Sequence, residues 1–107
     1  MTTIQDLTAA MHRMVTALGR YDASTSQPQT PRNIAISLAL EAAEVLEHYQ
    51  WHEQADPAAL AEELADVALY LFQLADLNGI NLEQAILDKI HHNYIRFGIA
   101  ESEPCKS

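Results

Sequence analysis

Positive charge is missing from the middle of this sequence: no Lys or Arg occurs between Arg32 and Lys89. The 107-residue chain carries six basic and fifteen acidic residues, a formal net charge of −9. Nucleic-acid phosphates have the same sign, so nucleic acid is not an expected partner. An anionic membrane surface is disfavoured for the same reason. A small phosphorylated ligand stays open, provided a divalent cation mediates. Cysteine is nearly absent. Cys105 has no partner for a disulfide, which fits a reducing, cytoplasmic setting. The start MTTIQDLTAA has neither a basic n-region nor an apolar h-region, so no signal peptide is expected. No apolar run approaches the roughly 20 residues needed to span a bilayer, so no membrane partner is expected either. Breakers are also scarce, with three Gly and four Pro. Ala and Leu dominate instead, which favours helices over strands.

What is present reads as four helices. Thr2 or Thr3 can N-cap the first, with Asp6 near its positive end. Its apolar stripe is Ile4, Leu7, Met11, Met14 (or Val15) and Leu18, and Gly19 suits its C-terminus. The polar stretch YDASTSQPQT reads as a loop. Thr30-Pro31 and Asp56-Pro57 are cap-plus-proline starts for the second and third helices. The second runs to about Trp51, with Ile34, Leu38, Ala42, Val45 and Tyr49 inward. The third runs to about Asn78, with Leu60, Leu64, Val67, Leu71 and Leu74 inward. Asn81 caps the fourth, and Gln84 three residues on completes a capping-box pattern. Leu82, Ala85, Ile86, Ile90 and Tyr94 make its stripe. The expected fold is all-α: an antiparallel, four-helix bundle-like domain that oligomerises through helix packing. It forms one domain over residues 1–107, with a core at about 30–97 and a flexible tail at 98–107.

Eight of the fifteen acids fall between Glu41 and Asp66. A solvated helix face normally interleaves both signs, because opposite charges at i,i+4 stabilise and like charges destabilise. Here Glu41 and Glu44 share one face of the second helix, beside Ser37 and His48. Glu63 and Asp66 share one face of the third. If the two apolar stripes pack together, four carboxylates converge at the edge of the core. Their repulsion calls for a cation, and oxygen-only ligands suit Mg²⁺ first and Mn²⁺ second. The plainer reading is an acidic solvated surface. It fits any one pair better than it fits both.

Lys89, Asn93 and Arg96 follow at helical spacing on the fourth helix. They suit either the negative end of the helix dipole or phosphate contacts. Trp51, the only tryptophan, suits either packing at a helix end or stacking on a base. His48 and His52 are i,i+4 and could chelate a metal, but there is no Cys partner and no His-Glu-x-x-His motif. Glu-x-x-His repeats of a di-iron bundle are absent as well.

The segments PRNIAISLALEAAEVLEHYQW and EELADVALYLFQLADLNGINLEQAILDKIHHNYIRF resemble the MazG-like family of all-α nucleoside triphosphate pyrophosphohydrolases. They are especially similar to its short branch, which includes the dCTP pyrophosphatases. The likeness rests on Glu41-Ala-Ala-Glu44, an eighteen-residue spacer and Glu63-Leu-Ala-Asp66, followed by Lys89, Asn93 and Arg96 in the order K-x-x-x-N-x-x-R. It implies that the four acids bind Mg²⁺. It also implies hydrolysis of a (deoxy)nucleoside triphosphate to the monophosphate and pyrophosphate, with Glu44, and secondarily Glu41, acting on the attacking water. Lys89, Asn93 and Arg96 would contact phosphates, Trp51 the base, and Asn33 the pocket. The family implies a homodimer or homotetramer, often with sites shared between subunits. It also implies a house-cleaning or pool-regulating role. Relatives often carry an aromatic residue and a histidine before the P-K/R-N step, where this chain has SQPQT. That departure leaves the base open. It also motivates a competing reading, a non-catalytic nucleotide-binding or oligomerisation module; a third reading, a zinc or di-iron protein, would use the His residues.

Overall fold

The computed structural model describes residues 1–101. Four helices follow in order: α1 (Ile4–Ala17), α2 (Pro31–Glu47), α3 (Pro57–Leu77) and α4 (Leu82–Arg96). No strand occurs among the described residues, so the all-α expectation holds. Cys105 and most of the expected tail lie outside the described residues.

Each helix starts where side-chain chemistry satisfies its free N–H groups. Thr3 and Asp6 form a reciprocal box at α1, at 3.1 and 3.0 Å. The side chains of Thr30 and Asp56 each accept from the backbone N–H three residues on, and a proline follows each cap. Asn81 accepts from the Gln84 N–H at 3.1 Å. The other half of that expected box does not form, because the Gln84 amide donates to Asp88 at 2.8 Å instead. After α1, Gly19 turns the chain at φ +74°, in the left-handed region that glycine enters without penalty.

The helix α2 ends at Glu47, four residues before Trp51. The chain there tightens into i→i+3 bonds, with the N–H groups of Tyr49 and Gln50 donating to the carbonyls of Leu46 and Glu47. Tyr49 and Trp51 therefore leave the helical stripe.

The helix α3 is the spine. It packs most extensively on α2, less on α1 and lightly on α4. Ile34 at the start of α2 is fully buried, together with Met11 and Val15 of α1 and Ala75 of α3. Burying a side chain such as Ile34 contributes roughly 1.5–3 kcal/mol. The expected stripes are only partly inside. In α1 the buried line is Thr8, Met11 and Val15, while Leu7, Met14 and Leu18 are exposed. Ala42 and Leu64 are exposed. In α4 no residue is buried, and Ile86, Leu87 and Ile90 face outward. Leu46 is 71% exposed and Leu40 63%. Periodicity marks the apolar faces, but much of that surface has no neighbour among the described residues.

Candidate functional site

Antiparallel packing of α2 on α3 pairs their acidic segments. Glu41 and Glu44 lie on one face of α2, and Glu63 approaches from α3, so that one carboxylate oxygen from each falls within 4.8 Å of the others. Glu41 and Glu63 are half-buried, and Glu44 is exposed. One oxygen of Glu41 and one of Glu63 are sealed from solvent without any hydrogen-bond partner. A buried polar atom of this kind costs about 1–3 kcal/mol, so such atoms are normally satisfied. Here the natural partner is a cation.

The electrostatics point the same way. Burial pushes the Glu41 carboxyl up to about 7, helped by a hydrogen bond with Glu44 and by the charges of Glu44, Asp66 and Glu63. Glu63 is also raised, first by its hydrogen bond with Glu44 and then by burial, while Glu41 and, less, His48 pull it back down. Asp66 thus acts on the charge of Glu41 but stands outside the group of three. His48, at the end of α2, sets Nε2 3.8 Å from a Glu63 oxygen. Among the described residues, these three glutamates are the only cluster of His, Cys, Asp and Glu atoms close enough to share an ion. No histidine joins it.

The remaining sequence candidates lie elsewhere. The Asn33 backbone N–H donates to the capping hydroxyl of Thr30, and its side-chain amide donates to the Pro28 carbonyl at 2.9 Å. It lines a cavity of about 220 Å³ with Gln27, Gln29, Ser37 and Tyr70. Trp51 is 82% exposed, in the turn beyond α2. Lys89 and Arg96 are exposed and Asn93 is half-buried. The Arg96 guanidinium lies over the Phe97 ring at 5.2 Å. No hydrogen bond or ion pair among the described residues joins these three α4 side chains to the acids.

Sequence reasoning missed a polar chain running between α1, α3 and the loop before α2. Gln73, 2% exposed, donates to Tyr21 Oη at 3.2 Å and to Gln29 Oε1 at 2.9 Å. Tyr21 in turn meets His12, whose Nε2 lies 2.7 Å from Asp76. The signal was available: Glu63, Asp66, Tyr70 and Gln73 recur at helical spacing on one face.

With this geometry in view, the comparisons with known proteins agree with one another. Residues 36–106 match the MazG-like family. The dCTP pyrophosphatase 1 proteins of rat and mouse are each 34% identical over 71% of this chain, and the human protein is 36% identical over 63%. The chain spans about half the length of these curated relatives, 52% for rat and mouse. A pyrophosphatase from Archaeoglobus fulgidus, known from its crystal structure, matches at a TM-score of 0.70 with 26% identity. That match covers 91% of this chain and 94% of the archaeal one. The carboxylate pairs, the helical architecture and the shared sequence converge: the chain belongs to the MazG-like family.

Proposed function

We propose that this chain is a Mg²⁺-dependent nucleoside triphosphate pyrophosphohydrolase, converting (deoxy)nucleoside triphosphates to the monophosphate and pyrophosphate. The observation that carries this reading is the meeting of Glu41, Glu44 and Glu63 with two buried, unpartnered oxygens. Its similarity to a dCTP pyrophosphatase and to an archaeal pyrophosphatase supports it.

Glu41, Glu44, Glu63 and Asp66 would hold the ion, and Mn²⁺ is the natural substitute. A bound divalent ion supplies charge neutralisation at the phosphates and Lewis acidity toward their oxygens. Glu44, the exposed member of the group, is placed to orient the attacking water and take its proton. Glu41, beside it on α2, would offer a second acceptor. The water oxygen bonds to the α-phosphorus, the bond to the α,β-bridging oxygen breaks, and pyrophosphate leaves. Trp51 lies past the opposite end of α2 from Asn33, so it would be a second subunit's Trp51 that stacks on a base. Lys89, Asn93 and Arg96 are free to bind phosphates.

That last assignment carries an assembly with it. Among the described residues no hydrogen bond or ion pair joins the basic face of α4 to the four acids, and apolar residues of α4 lie exposed. A homodimer or homotetramer would cover those residues and bring one subunit's basic face to another's acids. The direct test is a (d)NTP panel with Mg²⁺, followed by pyrophosphate release. Release that Glu41→Gln or Asp66→Asn leaves at full rate would overturn the assignment.

A further inference from the structure

We propose that Gln73 is a positioning residue for the nucleoside end of the substrate, holding the amide wall of the cavity that Gln27, Gln29, Asn33, Ser37 and Tyr70 line. This rests on the pyrophosphohydrolase reading above.

Two parallel series of polar residues carry the argument. On α2, Asn33, Ser37, Glu41 and Glu44 follow one another at helical spacing. On α3, Glu63, Asp66, Tyr70 and Gln73 do the same. Because the helices run antiparallel, the acids fall at one end of the shared face. Ser37 and Tyr70 come next, and Asn33 and Gln73 occupy the far end. At 1.5 Å per residue, Asn33 stands roughly 12 Å along α2 from Glu41. A ligand gripped by its phosphates at the acids would extend its other end toward this cavity. Its 220 Å³ is below the roughly 300–1,000 Å³ of sites that take a whole small molecule, so it holds part of a ligand.

Gln73 is the one fully buried polar residue of α3. Burying an amide is costly unless hydrogen bonds satisfy it. Its Nε2 donates both to Tyr21 Oη and to Gln29 Oε1. Tyr21 is fixed from behind by His12 and Asp76. Gln29 in turn donates from Nε2 to the Gln27 carbonyl at 2.8 Å. One buried amide thus stiffens a loop that otherwise has few partners, and it fixes which end of the Gln29 amide is oxygen. Gln29 keeps one N–H and one oxygen lone pair uncommitted. An adjacent donor and acceptor held in fixed orientation suit the edge of a planar, amide-like ring such as a nucleobase.

The test is calorimetric binding, with Mg²⁺, of two probes. One is a deoxynucleoside triphosphate with a non-hydrolysable α,β bridge, and the other is inorganic tripolyphosphate. We expect wild-type protein to bind the nucleotide more tightly than tripolyphosphate. In Gln73→Met, nucleotide affinity should fall about tenfold, the size of one or two lost hydrogen bonds, while tripolyphosphate affinity stays within about twofold. Gln29→Met should show the same split, and the double variant should be no worse than either single by more than about twofold. Should Gln73→Met not fold, Gln29→Met on the loop decides alone. Unchanged nucleotide affinity, or equal loss for both probes, overturns the proposal. Wild-type protein that binds tripolyphosphate but gains nothing from the nucleoside also overturns it, leaving the metal centre standing. Binding of neither probe removes the pyrophosphohydrolase reading and this inference together.

Discussion

His48 closes α2 with its Nε2 3.8 Å from a carboxylate oxygen of Glu63 on α3. Glu63 is raised by Glu44 and by burial, and lowered by Glu41 and then by His48. His48→Gln should therefore move the Glu63 titration in metal-free protein to higher pH. Carboxyl carbon shifts followed by NMR would show this. A midpoint that stays put or moves down would mean that the pair carries no charge interaction.

Glu41→Gln tests whether the acids are assembled at a cost to the fold. The amide keeps the shape of the carboxyl and removes one of the repelling charges. At pH 8 without metal, the variant should be more stable than wild type by about 1 kcal/mol, an ordinary single-residue effect. It should also lose most of the stabilisation that Mg²⁺ confers, which for a site at 100 times its Kd is about 2.7 kcal/mol. Thermal melts with Mg²⁺ and with chelator separate the two effects. A variant less stable than wild type in chelator contradicts the idea.

The pH dependence follows from the same shifts. The folded-state pKa of Glu41 lies at about 7 and that of Glu63 is also raised above 4.5. Between about pH 4.5 and 7, the folded chain therefore binds more protons than the unfolded one, and stability falls as pH rises through that window. Metal-free protein should lose stability between about pH 4.5 and 7 from these groups. Mg²⁺ competes with the protons, so its stabilising effect should grow across the same range. Melting curves with and without Mg²⁺ that stay parallel throughout would refute the linkage.

Trp51 gives an optical test of whether a second subunit's aromatic ring reaches the base. It is the only tryptophan and stands in solvent. A stacking base should change its fluorescence, whereas tripolyphosphate should not. Trp51→Ala should raise KM for a nucleotide roughly tenfold, within the range of about 1–3 kcal/mol found for base–aromatic stacking. Fluorescence indifferent to nucleotide would place the base elsewhere.

Ile90 tests the assembly. It lies exposed on α4 beside Ile86 and Leu87. If a second copy covers this face, Ile90→Glu should shift the protein toward monomer in light scattering and lower activity by at least about tenfold, because a buried unpaired charge is costly. Wild-type mass and activity in this variant would place the contact elsewhere.

Much of this was legible before any coordinates. The starts of α2 and α3 were written in Thr30-Pro31 and Asp56-Pro57, and the approach of Glu41 and Glu44 to Glu63 followed from spacing plus antiparallel packing. The end of α2 was not legible. HYQWHE contains neither Gly nor Pro, and the tightening of its last turn is a matter of backbone hydrogen bonds. Gln73 was passed over because a stripe counted by apolar residues skips a polar one inside it. The burial of α4 was overestimated for a different reason: hydropathy marks which face is apolar, not what lies against it.

The paired series on α2 and α3 form a ruler, and a ruler tolerates changes unevenly. The link from His48 to Asp56 is not part of it. A residue added there should leave the spacing between acids and cavity intact. A residue added between Asp66 and Gln73 would turn Gln73 by roughly 100° off the shared face and advance it 1.5 Å. The helix would survive, but the two ends of the site would no longer lie on the same side. Length variation in this chain should accordingly collect in its turns, and α2 and α3 should keep their residue count even where their residues change.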